Sequence, residues 1–335
     1  MTILITGGAG FIGSNFVKYY SQHRSGRCVV LDKFTYAARE LNNFVSPLPN
    51  IIRSDINDTE TVSRLLTEED IDIVVHFAAE THVDNSINDI GPFLKSNILG
   101  TNTLLSCSLK HYQQLDANKQ EKFRFLHVST DEVFGALMPD DAPFTEESPF
   151  RPNNPYSASK ASSDHLVRAY NRTHGLPTIT VNMSNCYGPR QFSEKLIPKT
   201  IANIVHGLDI PVYDRGLQIR DWNYVEDAVE AISLALHKGA IGETYNISGG
   251  NEVRNIDLVN TLFSLVAELV ERHPKLGKSS IAFAPDRPGH DFRYACSNYK
   301  INQLTGWQPK TSLQDGLRKT LEWYLTQDHH ILKSG

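Results

Sequence analysis

The sequence has few cysteines and no long hydrophobic run, and both features narrow the class of protein. Its 335 residues include four cysteines, Cys28, Cys107, Cys186 and Cys296. None of them stands in a C-x-x-C spacing, so the pattern predicts neither a zinc site nor a disulfide framework. No apolar run approaches the ~18 residues of a membrane-spanning helix. We therefore expect reduced, mostly buried thiols in a cytoplasmic protein that binds no metal and no membrane.

The chain also lacks an excess of basic residues. Its 33 Lys and Arg side chains are outnumbered by 38 Asp and Glu, which gives a net charge of −5 and a pI near 6.2. A balance of this sign argues against a surface for nucleic acid or for anionic lipid. Hydrophobic residues make up 40% of the chain, which is ample for a core. The length predicts about two domains on a prior of roughly 150 residues each.

Short strand-like segments alternate with helical patterns in the first half of the chain. Strand-like runs lie at 2–6, 28–32, 73–77, 124–129 and 178–183, and helical patterns at 12–23 and 58–67. This alternation predicts an α/β fold with a Rossmann-type, doubly wound parallel sheet. We expect the sheet domain in residues 1–183, with returns near 220–235 and 243–248. Residues 184–335 are then mainly a smaller substrate-binding lobe, with the ligand in the crevice between the two.

A glycine-rich turn follows the first predicted strand and opens the first predicted helix. Its spacing is Gly7-x-x-Gly10-x-x-Gly13. Glycines allow a tight turn and close approach of the backbone to a pyrophosphate, and the start of the helix, at Phe11 and Ile12, supplies free N–H groups. Asp32 ends the second predicted strand, where a carboxylate accepts hydrogen bonds from the ribose of NAD and repels a 2′-phosphate. The segment predicts an NAD site.

Asp55 and Ile56 lie between the strand-like runs at 28–32 and 73–77, after a further short strand-like run that is third in chain order. The carboxyl ends of parallel strands meet at one edge of the sheet, where the dinucleotide binds. We therefore expect Asp55 and Ile56 to flank the adenine.

Tyr156 and Lys160 stand four residues apart in a predicted long helix that ends at His174. Residues at this spacing share one face of a helix. The phenol of tyrosine has a pKa of about 10, and a nearby ammonium together with the positive nicotinamide ring would lower that pKa. The pair therefore predicts hydride-transfer chemistry with Tyr156 as the base.

The triplet Thr130-Asp131-Glu132 comes directly after the strand-like run at 124–129. This position is the carboxyl edge of the sheet, where α/β enzymes carry their chemistry. Two neighbouring carboxyl groups tend to have pKa values that move apart, which leaves one as an acid and the other as a base. An enzyme that only moves a hydride needs neither group. The triplet therefore predicts a second reaction at the same site, the elimination of water.

Further segments carry a resemblance to a known family. Besides the glycine turn, the triplet and the Tyr/Lys pair, they are Asp32–Ala37, Ala78–Asp84, Ser184–Pro189, Glu194–Pro198, Arg220–Val225 and Arg287–Asp291. With these motifs the chain resembles, over nearly its whole length, the extended short-chain dehydrogenase/reductases, or NAD-dependent epimerase/dehydratase family. The triplet is the more specific motif, and it resembles that of the nucleotide-sugar 4,6-dehydratases that act on dTDP-glucose.

The resemblance implies a role for each catalytic residue. Tyr156 would take the proton of the sugar 4-hydroxyl as hydride leaves carbon 4 for NAD. Lys160 would hold the nicotinamide ribose, and Thr130 would bond to the 4-oxygen. Glu132 would remove the proton of carbon 5 while Asp131 protonates the departing 6-hydroxyl. The hydride would then return to carbon 6.

The resemblance also implies binding residues. Ala78 and Ala79 would contact the cofactor. The substrate nucleotide and its diphosphate would be bound by Asn185, Lys195, Arg220, Asn255, Arg287 and His290, with Pro211 and Tyr213 packed near the base. A homodimer built on the long helix is implied as well.

Three alternatives follow from the same residues. The stretch Asp214-Arg215-Gly216 replaces the Gly-Asp-Gly that is common in the family, near the expected nucleotide pocket, so UDP-glucose stays open as a substrate beside dTDP-glucose. A nucleotide-sugar 4-epimerase would have no use for Asp131 and Glu132. A non-catalytic NAD sensor would have no use for a tuned base at Tyr156.

Overall fold

The computed structural model describes residues 1–42, 44–270 and 279–327. Its strands are β1 (Thr2–Thr6), β2 (Arg27–Asp32), β3 (Asn50–Arg53), β4 (Ile73–His76), β5 (Arg124–Thr130), β6 (Thr178–Met183), β7 (Asn185–Tyr187), β8 (Ile210–Tyr213), β9 (Ile219–Tyr224), β10 (Thr244–Ile247), β11 (Glu252–Arg254) and β12 (Ile281–Ala284). Its helices are α1 (Phe11–His23), α2 (Thr59–Glu68), α3 (Val83–Asn88), α4 (Gly91–Phe93), α5 (Thr101–Gln114), α6 (Ala117–Lys122), α7 (Pro155–His174), α8 (Leu196–His206), α9 (Val225–Lys238), α10 (Asn255–Val270), α11 (Tyr299–Thr305) and α12 (Leu313–Gln327). A π-helical segment spans Leu94–Gly100, and a 3₁₀ turn spans Asp131–Phe134.

The main sheet has seven strands in the order β10-β6-β5-β4-β1-β2-β3, and all of its pairs are parallel. Strands β1, β4, β5 and β6 are almost wholly buried, which is typical of strands covered by helices on both faces. The order reverses between β1 and β4, the type of position where α/β folds bind ligands. The predicted doubly wound α/β fold is confirmed.

Helices cover both faces of this sheet. On one face α1 and α9 pack through residues such as Phe16, Val17 and Val229. On the other face α2, α5 and α7 pack through residues such as Leu65 and Leu104. The carboxyl edge of the sheet is left free of these layers, and the residues that follow each strand are therefore available for a site.

Beyond β6 the chain builds two small sheets, β11-β9-β7 and β12-β8, which share a core with α8, α10 and α12. Two segments of this half were expected to return to the main sheet. Strand β10 lies in the segment 243–248 and is the outermost strand of that sheet. The segment 220–235 is divided, because β9 pairs with β7 and β11 whereas α9 packs against the main sheet. The division of the chain at residue 183 stays a prediction.

None of the helices within the described residues combines the length and the apolar character needed to cross a membrane. All four cysteines are buried and free of disulfide bonds. This agrees with the expectation drawn from their spacing.

Candidate active site

The glycine turn at the end of β1 packs closely against neighbouring backbone because its residues have no side chains. Gly7 has φ of +69°, and a Cβ added there would lie 2.6 Å from the backbone N of Ala78. A Cβ at Gly13 would lie 2.2 Å from the carbonyl oxygen of Gly7. The backbone N of Gly10 donates to the same oxygen at 3.1 Å, which closes the turn in front of α1. These contacts fit the cradle that a dinucleotide requires.

Asp32 lies at the end of β2, beside the glycine turn. Its carboxylate accepts hydrogen bonds from the backbone N of Ala9 at 2.9 Å and of Phe34 at 2.8 Å. Burial raises the pKa of Asp32, and these two backbone bonds oppose the shift. The carboxylate is thus fixed between the turn and the residues that follow β2, where the ribose of a dinucleotide is expected.

Other predicted cofactor residues line the same edge. Phe11 and Ile12 begin α1 and are packed partly against the core. Asp55 accepts hydrogen bonds from the N–H and the side-chain amide of Asn57, and Ile56 is buried. Ala78 and Ala79 follow β4, and the backbone of Ala78 faces Gly7.

The Thr130-Asp131-Glu132 triplet leaves β5 as the sequence requires if both carboxyl groups are to reach one substrate. Thr130 keeps extended geometry, and the next residue begins a 3₁₀ turn. The Thr130 hydroxyl accepts a hydrogen bond from the backbone N of Glu132 at 3.3 Å and donates to Asp131 Oδ1 at 3.4 Å. Because of this turn, the side chains of Asp131 and Glu132 no longer alternate between opposite faces of the sheet, as successive residues of a strand do.

The two carboxyl groups have different surroundings. Asp131 is 1% exposed, and its Oδ2 is buried without a hydrogen-bond partner. Burial, the charge of Glu132 and the charge of Asp221 hold the pKa of Asp131 well above its usual range. Glu132 is half-buried, and its Oε2 accepts a hydrogen bond from the Asn154 side chain at 3.4 Å. The pair is therefore suited to an acid at Asp131 and a base at Glu132.

Tyr156 is the second residue of α7, and both its backbone and its ring contact neighbouring segments. Its backbone N donates to Ser86 Oγ at 3.2 Å, and its ring packs with Val83 and Phe93. Burial and the charge of Glu132 raise the pKa of Tyr156, while a hydrogen bond with Thr130 lowers it. The sequence predicted a lowered pKa from Lys160 and the nicotinamide ring. Within the chain itself, burial and the charge of Glu132 act on the pKa of Tyr156 in the opposite direction.

Lys160 lies one helical turn after Tyr156 and is 4% exposed. Its Nζ donates to the carbonyl oxygen of Val128 on β5 at 2.9 Å. Burial lowers the pKa of Lys160 to about 8, and the charge of Asp164 opposes the shift. The Lys160 side chain is thus anchored to β5, the strand that leads into the triplet.

Several predicted nucleotide residues lie near the triplet. Lys195, just before α8, donates to the carbonyl oxygen of Thr81 at 2.9 Å; burial lowers the pKa of Lys195, and the charges of Glu194 and Glu132 raise it. Arg220 on β9 is buried and donates to the carbonyl oxygen of Asp291 at 2.9 Å. The charge of Arg220 lowers the pKa of Asp131, so both groups share one electrostatic environment.

A second group meets around Asp84 on α3. Tyr213 Oη donates to Asp84 Oδ2 at 2.9 Å, and Arg287 Nη1 donates to Asp84 Oδ1 at 3.1 Å. The ring of His290 packs edge-on against Tyr213, and burial together with the charges of Arg287 and Arg220 lowers the pKa of His290 to about 4. Pro211 lies two residues before Tyr213 on the same strand and is exposed.

Asn185 at the start of β7 and Asn255 at the start of α10 each bury a side-chain oxygen that has no hydrogen-bond partner. The Nε of Arg287 is buried in the same way. Buried polar atoms without partners are costly, so these three are candidates for contacts to a ligand.

Sequence reasoning missed Asn154, Asp84 and Asp164. Asn154 caps α7 and bonds to Glu132, and the pattern of an Asn three residues before Ser157 is a signal that marks such a cap. Asp84 ends the Ala78–Asp84 motif, but neither Asp84 nor Asp164 had a local signal for its partners, which come from distant parts of the chain.

Comparisons with known proteins identify relatives of the chain. A family profile described as GDP-mannose 4,6 dehydratase matches residues 4–320. The dTDP-glucose 4,6-dehydratase 1 of Escherichia coli K12 is 46% identical over 100% of this chain and 96% of its own length. The dTDP-glucose 4,6-dehydratase of Neisseria meningitidis serogroup B is 47% identical over 96% of this chain and 93% of its own.

A solved structure gives the same result. The dTDP-glucose 4,6-dehydratase DesIV from Streptomyces venezuelae, solved with NAD bound, aligns with a TM-score of 0.87 and 39% identity over 98% of both chains. The chain thus shares its fold and nearly its whole length with these relatives. The chain belongs to the dTDP-glucose 4,6-dehydratase family, within the extended short-chain dehydrogenase/reductases.

Proposed function

We propose that this chain, with NAD, converts dTDP-glucose to dTDP-4-keto-6-deoxyglucose. The reaction comprises oxidation at carbon 4, elimination of water across carbons 5 and 6, and reduction at carbon 6. The observation that carries the proposal is the position of Asp131 and Glu132 beside Tyr156, where the charge of Glu132 raises the pKa of both other groups. Full-length relatives named dTDP-glucose 4,6-dehydratase support it.

The glycine cradle at Gly7, Gly10 and Gly13 would hold the pyrophosphate of NAD, and Asp32 would bind its ribose. Asp55, Ile56, Ala78 and Ala79 would line the remainder of that site. When bound, NAD supplies the hydride acceptor and donor of the reaction, together with a positive ring charge near Tyr156.

The side chains would divide the proton transfers among themselves. Tyr156 would accept the proton of the 4-hydroxyl, with Thr130 bonded to the same oxygen and Lys160 holding the cofactor ribose. Glu132 would take the proton of carbon 5, which the ketone at carbon 4 makes acidic. Asp131, protonated because of its raised pKa, would give its proton to the departing 6-hydroxyl.

The nucleotide half of the substrate would lie against the second lobe. Asn185, Asn255 and Arg287 offer buried atoms without protein partners, which supports contacts to the nucleotide and its diphosphate. The same region would be completed by Lys195, Pro211, Tyr213, Arg220 and His290. UDP-glucose is the competing substrate, and the experiment below includes it.

Substrate labelled with deuterium at carbon 4 should give product labelled at carbon 6. The elimination requires the ketone, so oxidation at carbon 4 comes first, and one NAD held in the glycine cradle would supply the hydride acceptor and donor for both redox steps. The product can be analysed by mass spectrometry and NMR after incubation with labelled dTDP-glucose and labelled UDP-glucose. Loss of the label to solvent would contradict the mechanism. Formation of a 4-epimer without dehydration would identify an epimerase instead.

We also propose a homodimer. Ile87, Ile90, Leu94 and Leu99 are between 36% and 58% exposed. They lie on, or directly before, consecutive helical segments that pack beside α7. Sedimentation should give twice the chain's 37.6 kDa. Leu99→Glu should shift the mass toward one chain, because it places a charge in an apolar interface. The matched control is Leu208→Glu, which alters an equally exposed leucine after α8. A single-chain mass for the unaltered protein would refute the dimer.

The four free, buried thiols support a cytoplasmic location, where cysteines stay reduced. We also propose a division of the chain into a cofactor-binding domain of residues 1–183 and a substrate-binding lobe formed mainly by residues 184–335.

A further inference from the structure

A buried carboxylate, Asp164, lies behind the catalytic residues and takes no part in the chemistry described above. It is on α7, four residues after Lys160, so both side chains lie on the face that packs against the sheet. Asp164 is 5% exposed. A carboxylate this deeply buried is costly unless it is paired and hydrogen-bonded, so its neighbours indicate why it is there.

Three donors from two adjacent strands surround Asp164. Ser129 Oγ donates at 2.9 Å and His127 Nε2 lies at 3.1 Å, both from β5. Asn182 on β6 donates its amide N–H at 3.4 Å. The same Asn182 amide nitrogen also donates to the carbonyl oxygen of Thr130 at 3.1 Å. Asp164 is therefore linked through a single side chain to the first residue of the catalytic triplet.

Lys160 approaches the same strand from the same helix. Its Nζ donates to the carbonyl oxygen of Val128, which lies between the two β5 residues that contact Asp164. The titratable side chains around this cluster are Tyr156, Lys160 and His165 on α7, His127 on β5 and His76 on β4, while β6 contributes the neutral amide of Asn182. The charge of Asp164 is the one that favours the ammonium form of Lys160.

We propose that Asp164 is a positioning residue for the dehydratase reaction, which fixes Thr130, and the part of β5 that anchors Lys160, relative to α7 through Ser129, His127 and Asn182. The inference rests on the proposed dehydratase function. It adds a residue that acts through Lys160 and Thr130 and does not itself touch the substrate.

Removing the charge of Asp164 should change the pH dependence of the reaction through the pKa of Lys160. Burial lowers the pKa of Lys160 to about 8, and the negative charge of Asp164 counters that shift. Asp164→Asn keeps the size of the side chain and one acceptor oxygen but removes its charge. The pKa of Lys160 then falls further, and the ammonium form is lost at a lower pH. The alkaline limb of kcat/KM should move down by about one pH unit, with roughly fivefold lower activity at pH 8.

Ser129→Ala tests the role of Asp164 by removing one of its hydrogen-bond donors instead of its charge. Burial raises the pKa of Asp164 to about 6, and the Ser129 hydroxyl lowers it. Without that hydroxyl the pKa of Asp164 rises, so its carboxylate is lost at a higher pH. The acid limb of the profile should move up while the alkaline limb stays near its original position. This variant keeps the inference testable if Asp164→Asn does not fold.

The experiment measures complete pH profiles of dTDP-glucose dehydration for the unaltered protein and both variants, with circular dichroism to verify folding. Asp227→Asn is the matched control, since Asp227 is also buried and accepts hydrogen bonds from the backbone of Lys310 and Thr311. Its pH limbs should stay in place. Profiles of both test variants that superimpose on the unaltered profile would overturn the inference. Absence of dehydration by the unaltered protein would instead refute the proposed function.

Discussion

Replacing Tyr156 by phenylalanine is expected to lower kcat for dehydration by on the order of 10²–10⁴ while leaving nucleotide binding nearly unchanged. The substitution removes one oxygen atom. The ring keeps its contacts with Val83 and Phe93, and the backbone N keeps its bond to Ser86. The lost group is the one that would accept the proton of the 4-hydroxyl, so oxidation at carbon 4 should become rate-limiting.

This assignment has a specific kinetic signature. In Tyr156→Phe, deuterium at carbon 4 of the substrate should slow turnover with a primary isotope effect, whereas deuterium at carbon 5 should not. Binding of dTDP, measured by calorimetry, should match that of the unaltered protein. Tyr170→Phe is the control, because Tyr170 lies on the same helix and its hydroxyl contacts Ser106 and Asn102 instead. Unaltered turnover in Tyr156→Phe would exclude Tyr156 as the base.

Local patterns predicted the elements that position Tyr156. The glycine turn, β5 and the long helix α7 lie within a residue or two of their expected bounds. Each has a local cause: glycines at a backbone contact, an apolar buried strand, and a helix with an Asn cap and a first-turn proline. Such signals lie within a few residues of one another, and the sequence alone therefore displays them.

The rest of the site could not be predicted, because it depends on contacts between distant segments. Asp84 meets Tyr213 and Arg287, which are 129 and 203 residues away. Asp164 meets Ser129 across the interface of a helix and a strand. The raised pKa of Tyr156 is of the same kind, since it reflects burial and the nearness of Glu132. A pattern along the chain contains no information about which of many carboxyl groups becomes a neighbour.

The largest remaining effects are expected for the two carboxyl groups of the triplet. Glu132→Gln and Asp131→Asn should each lower kcat by on the order of 10²–10⁴, since each keeps the shape of its side chain and removes a base or an acid. Glu147→Gln is the control, an exposed acid on the same connection between β5 and α7. Its activity should be unchanged, because no proton transfer depends on it.

The reaction step that becomes rate-limiting should differ between these variants and Tyr156→Phe. With Glu132→Gln, oxidation at carbon 4 can still proceed and reverse, so removal of the carbon 5 proton becomes limiting. Deuterium at carbon 5 should then give the primary isotope effect, and deuterium at carbon 4 should give little. The position of deuterium that slows turnover should therefore differ between Glu132→Gln and Tyr156→Phe. This difference tests whether Tyr156 serves the oxidation and Glu132 the elimination. A carbon 4 effect that dominates in both variants would mean that Glu132 is not the base for elimination and that another group removes the carbon 5 proton.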